Sequence, residues 1–418
     1  MNTEPPASST PAALAGIRIC DFCGQLAGAG ATRWLAAFGA EVIRIEDPVR
    51  EGRWDILRGI APFVDDRRGI DLGGAFNNHN VEKRGITLNL RTERGKALLV
   101  ELIRQSDCVT ENFAAGVLER LGFGYERLKE IRPDIIYVSN SGFGQTGPYA
   151  SFKSWGPIVQ AVSGLTFASG LPDLPPAGWG YAFMDHTGGH YMAIAILLAL
   201  IHRQRTGEGQ WVDLACTEAG LTLHGPALLD WTVNHRPTRR AGQPHSNRSE
   251  WPPMAPHGIY RCAGGDDWIA IACRDEDDWR SFAGVVSEAW VADPAYATLE
   301  ARLQNQSDLD AAVTGWCGRQ GKFEAQRRLR AVSVPASAVQ KPSERIDDDP
   351  DTEDLWPTVT HAAIGEVRVD GLPARFSGTP WRIVRGAPRL GEHNEEVFGR
   401  LLGLGPAELA ALREEGVI

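Results

Sequence analysis

The chain has 418 residues, of which 43% are hydrophobic and 23% charged, and its formal net charge is -10 at pH 7. That length and composition suit a globular protein with more than one lobe. The acidic balance argues against a general nucleic-acid binder but leaves room for a local basic patch facing an anionic ligand.

The first stretch, MNTEPPASSTPAAL, has no basic region followed by an apolar run, so residues 1–15 read as a disordered leader and not a secretory signal. Ordered structure is expected from Gly16. GIRICDF reads as a buried strand, GQLAGAG as a glycine-rich turn and ATRWLAAFGA as a helix closed by Gly39. EVIRIEDP follows as a strand stopped by Pro48. A helix at 92–104 precedes the strand DCVTENF. Residues 116–131 are helical with a break near Gly122 and Gly124, and PDIIYVSNSGFG is a strand running into a glycine-bearing loop. The repeated strand–loop–helix pattern predicts an α/β, Rossmann-like large domain with a mostly parallel sheet, spanning 16–234.

Residues 151–179 are rich in Gly and Pro and are expected to wrap a site. A helix is predicted at 190–203, a strand at WVDLA and a further helix at 221–233. The longest apolar run, 191–201, is too short to cross a bilayer, so no membrane is expected as partner, just as the acidic charge leads to no nucleic-acid partner, and the expected location is cytoplasmic. The composition shifts to Arg, Pro, Asn and Ser over 235–256. A smaller α+β domain, 235–345, is placed there, opening on the hairpin HGIYRCAGGDDWIAIAC with GGDD as its turn. Helices fill much of 275–330, and VPASAV returns as a strand or extended turn. The acidic run ERIDDDPDTEDL lacks calcium-loop spacing and reads as a solvated connection. Residues 346–418 form a linker and a C-terminal segment returning to the large domain, with a helix after Gly391 and another in LGPAELAALREEGVI.

Three features invite chemistry. Seven cysteines, odd in number and mostly scattered, argue against a disulfide scaffold. Cys20 and Cys23 form a CxxC pair, but Cys20 ends an apolar strand and reads as core, and no second CxxC completes a zinc site. Gly28 and Gly30 form GxG, yet Arg33 stands where a dinucleotide fingerprint needs its third glycine, so the turn is expected to approach some other ligand or a helix. Asp185, in MDHTGG, reads as a helix N-cap for a run starting near Thr187.

Several segments, in order, carry a family resemblance: GIRICDF with LAG, GAEVIRIEDP, NVEKRGITLNL, VTENFAAGVLERLGFGYERL, RPDIIYVSNSGFGQTGPY, MDHTGGHYMAIAILLALIHRQRTGEGQWVDLA and GAPRLGEHNEEV. The chain resembles the class III CoA-transferases, the formyl-CoA transferase or carnitine dehydratase-like family (CaiB/BaiF type). The resemblance implies an interlocked dimer, coenzyme A or acyl-CoA as substrate with no tightly bound cofactor or metal, and a carboxylic acid as acceptor. It makes Asp185 the nucleophile, attacking the acyl-CoA to give an aspartyl–acyl anhydride and then an aspartyl–CoA thioester. Gly188 and Gly189 are expected to lend backbone N–H groups to the oxyanion. Lys83, Arg84, Asn112, Phe113 and Arg120 are expected at the CoA nucleotide, Leu26 and Ala27 near its thiol end, and Phe143 near the thioester. Arg44 is a further candidate that a surface strand-end role would equally explain.

Departures from the family pattern narrow the substrate. Gly24 stands where oxalate-using relatives carry a histidine, and RAGQPHSNRSEW lacks their run of flap glycines. Trp155, Trp179, Tyr181 and Phe183 point to a bulkier acid, with a succinyl-CoA-type donor and an aryl- or alkyl-substituted dicarboxylate acceptor. Two competing readings are an α-methylacyl-CoA racemase and a subunit of a heteromeric transferase. The racemase needs a histidine opposite the aspartate, but Trp155 occupies the family's histidine position, which leaves only His186 and His190 nearby.

Overall fold

Six short apolar strands form one parallel sheet: β1 (Arg18–Asp21), β2 (Glu41–Glu46), β3 (Arg84–Thr87), β4 (Cys108–Glu111), β5 (Ile136–Ser141) and β6 (Trp211–Ala215), in the order β3-β2-β1-β4-β5-β6. β4 and β5 are buried at every residue, as a sheet covered on both faces requires, whereas β6 is a partly exposed edge. The computed structural model describes residues 11–171, 173–180 and 182–418.

The connecting helices are α1 (Ala27–Ala37), α2 (Gly74–His79), α3 (Glu93–Arg104), α4 (Val117–Arg120), α5 (Tyr125–Ile131), α6 (Gly156–Val162), α7 (Leu165–Ala168), α8 (Phe183–Thr206), α9 (Cys216–Thr222) and α10 (Gly225–Asn234). Their ends follow local chemistry. Thr92 caps α3 by accepting from the Gly95 N–H at 3.0 Å. Gly207, at φ +77°, closes α8 in the left-handed conformation that a side chain disfavours. One face of the sheet packs on α3, α5 and the C-terminal residues Phe398, Leu412 and Val417. The other packs on α1 and α8 through Leu35, Met192 and Ile196.

The chain divides into two units. The large one holds the described residues up to Thr166, Gly178–Leu228 and Asp354–Ile418; the small one holds Phe167–Ala177 and Leu229–Glu353. The sequence pattern keeps 167–177 and 229–234 with the large domain and 346–353 with the C-terminal segment. The small unit has an antiparallel sheet of β7 (His257–Arg261), β8 (Trp268–Ala272) and β9 (Ala336–Ala338). The β7–β8 turn uses Gly264 and Gly265 at φ +106° and +89°. Against this sheet pack α11 (Glu276–Val286), α12 (Leu299–Gln304), α13 (Gln306–Cys317) and α14 (Lys322–Arg330), with Trp279, Phe282 and Trp316 in the core.

Four expectations need correction. α1 starts at Ala27, so Gly28 and Gly30 lie inside a helix and only Gln25 and Leu26 turn, Gln25 at φ +55°. α8 starts at Phe183, well before residue 190, because the glycine pair that weakens helix propensity is tolerated for close packing. The helix expected at 221–233 is split into α9 and α10. The polar tail holds an unexpected hairpin, β10 (Thr358–His361) with β11 (Gly365–Arg368), before the last α-helix, α15 (Pro406–Glu414). No helix among the described residues is long and apolar enough to cross a membrane.

Candidate active site

The strand order reverses between β1 and β4, and doubly wound sheets place ligands in the crevice beyond the carboxyl ends of such strands. A cavity of about 310 Å³ sits there, walled by residues following β1 (Gly24, Gln25), β4 (Asn112, Phe113) and β5 (Gly142). Asn112 clamps the crevice. Its Oδ1 accepts from the Gly24 N–H and its Nδ2 donates to the Gly24 carbonyl, both at 2.8 Å. Phe113 lies against Trp54, with ring centroids 5.3 Å apart.

Asp185 enters this cavity from the first turn of α8. It is not the N-cap, a position held by Ala182. No hydrogen bond or ion pair engages its carboxylate among the described residues. A first-turn carboxylate is favoured as the anion by the helix dipole. Burial acts the other way and pushes its pKa up to about 6. Space is made for it by Gly156, at the start of α6, where a Cβ would stand 2.4 Å from Asp185 Oδ2. Cys216, at the start of α9, donates its thiol to Asn140 Oδ1 at 3.0 Å, and burial, aided by Asp185, pushes that thiol up to about 12.

Gly188 and Gly189 do not supply free N–H groups. The helical bonding of α8 begins with the His186 N–H on the Ala182 carbonyl, so amides further along are already taken by it. Their lack of a side chain serves packing instead. A Cβ at Gly189 would lie 2.7 Å from the Ala27 carbonyl of α1, and one at Gly188 would lie 2.5 Å from Cys216 Sγ.

The residues expected at CoA separate into three groups. Asn112, Phe113 and Ala27 line the cavity. Arg44 and Lys83 do not reach it, because both side chains are fully buried. Arg44 donates to Asp55 at 2.6 Å, to Asn80 Oδ1 at 3.2 Å and to the Cys23 carbonyl. Lys83 donates to Asp21 at 3.2 Å and to the Ala29 carbonyl at 3.0 Å. Burial alone would raise the Asp21 carboxyl, but Lys83 and Arg44 outweigh it and its pKa falls. These charges hold the loop between β1 and α1 and the start of α1 from beneath. Arg44→Ala is therefore expected to cost about 3–5 kcal/mol, because Asp55 would be left buried and unpaired. A urea midpoint close to that of the parent protein would count against this role.

The third group lies outside the cavity lining. Arg84 pairs with Glu396 at 2.8 Å and Glu41 at 3.6 Å. Leu26 is buried among Leu57, Phe76 and Ala387. Phe143 packs on Tyr149 and Phe152. Arg120 is exposed on α4 and donates to the Ala115 carbonyl at 3.3 Å.

Gln25, Trp54, Asn140, Lys153 and Cys216 line the cavity without having been singled out from the sequence. Only Gln25, beside the glycine cluster, carried a local signal there. Of the four aromatic residues read as an acid pocket, Trp155 lines the cavity. Trp179 and Phe183 pack on each other at 5.0 Å, and Tyr181 lies outside the described residues. Among the described residues no histidine lines the cavity, and His186 and His190 face a different one. Cys20, the CxxC candidate, is buried beside Ser106 and pushed up to about 12, chiefly by burial.

The model of the family described as CoA-transferase family III matches residues 14–394. A formyl-CoA:oxalate CoA-transferase of Streptomyces coelicolor is 35% identical over 98% of this chain and 100% of its own length. A succinyl-CoA–D-citramalate CoA-transferase of Chloroflexus aurantiacus is 32% identical over 98% of both chains. The crystal structure of a CAIB/BAIF family protein from Brucella suis superposes with a TM-score of 0.83 at 29% identity, covering 94% of this chain and 100% of that one. The chain is a member of CoA-transferase family III, an enzyme that moves coenzyme A between an acyl-CoA and a carboxylate.

Proposed function

We propose that Asp185 is the nucleophile of this transfer and that the cavity at the strand crossover receives the acyl end of the thioester. The observation carrying this reading is an unpartnered carboxylate in the first turn of α8, aimed into the crevice beyond β1, β4 and β5. The Asp185 carboxylate adds to the thioester carbonyl, and the CoA thiolate leaves as the aspartyl–acyl anhydride forms. The thiolate then adds to the aspartyl carbonyl, releasing the donor acid and leaving an aspartyl–CoA thioester. The acceptor carboxylate attacks that thioester to form a mixed anhydride and expel the thiolate. Return of the thiolate to the acceptor carbonyl frees Asp185. With Gly188 and Gly189 excluded, the oxyanion donors are assigned to the first-turn amides of α8, which precede its internal bonding. Asn112, Phe113, Ala27 and the exposed Arg120 are the CoA-contacting residues in this reading.

The acid is proposed to be a dicarboxylate larger than oxalate, with a succinyl-CoA-type donor and an aryl- or alkyl-substituted acceptor. Trp155, Phe152 and Trp54 supply apolar wall, and Lys153 is the one cationic side chain among the described lining residues. Lys153→Ala is expected to raise KM for a dicarboxylate acceptor about tenfold while leaving a monocarboxylate nearly unchanged. Equal effects on both acids would remove Lys153 from acceptor recognition.

The nucleophile must be ionised. Since burial lifts Asp185 to about 6, kcat/KM for the acyl-CoA is expected to rise with pH through that value and level off above it. A profile flat down to pH 4.5 would contradict this. The function itself is tested by incubating a succinyl-CoA-type donor with isotopically labelled candidate acids. Labelled acceptor-CoA supports transfer, whereas solvent deuterium at the α-carbon without acyl exchange would instead support racemisation.

A homodimer, interlocked as in the family, is proposed as the working form. Over Tyr191–Ile201, α8 is apolar around its circumference: Met192 and Ile196 are buried, while Ile194 and Leu198 are 53% and 61% exposed. A helix of that kind is normally covered on every side. A monomer by sedimentation equilibrium would overturn the assignment.

A further inference from the structure

A second cavity, of about 160 Å³, shares the walls α1 and α8 with the active-site cavity but none of its lining residues. Arg33 projects into it from α1. Arg33 is only 6% exposed, and its Nε and Nη2 have no hydrogen-bond partner. Burial lowers its pKa, which the attraction of Asp370, the one carboxylate lining this cavity, only partly offsets, and no ion pair joins the two among the described residues. Asp370 is engaged by Asn78 Nδ2 at 2.7 Å. A buried, unpaired guanidinium is costly, and it normally has an anion in its fork.

Three imidazoles complete the wall. His79 Nδ1 lies 2.9 Å from the Ala75 carbonyl, to which it donates, and this leaves Nε2 free. Its ring lies 5.5 Å from that of His186, and His190 meets Trp34 edge-on at 5.5 Å. The three histidines do not form a metal-holding group.

We propose that this cavity binds a small oxoanion, a carboxylate or a phosphate-like ion, in the fork of Arg33 with the imidazoles of His79, His186 and His190 as further donors. The planar guanidinium suits two oxygens of either anion. Burial takes His79 down to about 4, and partial desolvation lowers His186 and His190, which keep an exposed edge. An anion reverses the balance by favouring the imidazolium form, so binding takes up protons and tightens as pH falls. The charged and titratable groups facing the cavity are Arg33, His79, His186, His190 and Asp370, and only Asp370 opposes the anion.

The test is calorimetric titration of the full chain with succinate, acetate, phosphate or sulfate, at ionic strength held constant with chloride, at pH 6 and pH 8. Saturable binding is expected, at least about fivefold tighter at pH 6. Arg33→Gln is expected to abolish it while sparing any carboxylate bound at Asp185. Preference for succinate and acetate over phosphate and sulfate, or the reverse, identifies the class of occupant. No saturable Arg33-dependent heat in the parent protein, or equal binding by Arg33→Gln, overturns the proposal. Should Arg33→Gln fail to fold, His190→Gln decides. It is expected to weaken binding and flatten its pH dependence, and no change in either overturns the site.

Discussion

Replacing Asp185 by alanine is expected to lower kcat/KM for CoA transfer by at least about 10⁴-fold, the scale on which enzymes lose activity with their covalent nucleophile. The same variant is expected to be more stable at neutral pH. A carboxyl whose folded pKa is raised to about 6 binds more protons folded than unfolded between about pH 4 and pH 6. Stability is therefore lost as pH rises through that window, and above it the native state carries an unfavourable buried charge. Removing the carboxyl relieves that charge, a gain of about 1–2 kcal/mol after allowing for screening at the open mouth of the cavity. Activity lost and stability gained together distinguish a functional carboxylate from a structural one. A structural helix-start residue would lose stability on truncation. Urea unfolding at pH 5 and pH 7.5 reads the difference, which is expected to be about half as large at pH 5 as at pH 7.5.

The second large effect is at Gly156. A methyl group there would lie 2.4 Å from Asp185 Oδ2 and 3.0 Å from its Cγ. The aspartate is short and can swing away, so Gly156→Ala is expected to fold, helped slightly by the better helix propensity of alanine. The swing carries the carboxylate away from the thioester. Displacing a reacting atom by about 1 Å costs about 10²-fold, so kcat is expected to fall by at least that factor with the melting temperature unchanged. Normal turnover by Gly156→Ala would mean that the reactive rotamer of Asp185 is not the one that Gly156 accommodates.

The parts of the fold readable from sequence are those whose signals are local. The buried strands show as short apolar runs, Gly39 marks the end of α1, and Thr92 starts α3 through its own side chain. The glycines of α1 and α8 misled because glycine reads as a turn, while here it permits close approach. Gly189 admits the backbone of α1, and Gly28 sits against Cys23 and Asn112. Arg44 and Lys83 looked like ligand cations because their partners are distant in sequence. Asp21 and Lys83 meet only after β1 and β3 enter one sheet. Trp54, Lys153 and Cys216 reach the cavity through topology, with no local pattern to mark them. Asp185 itself was a helix-start residue by pattern and a nucleophile only by resemblance. The structure adds an open cavity, an unpaired carboxylate and a glycine shaped around it.

The most direct test of the proposed chemistry is mass spectrometry of the protein incubated with hydroxylamine and an acyl-CoA that it turns over. An activated aspartyl carbonyl, in either the anhydride or the thioester, would be captured as a hydroxamate. The modification is expected on the peptide carrying Asp185, dependent on the acyl-CoA and absent from Asp185→Ala. Turnover without any modification at Asp185, or continued transfer by Asp185→Ala, would contradict the covalent route.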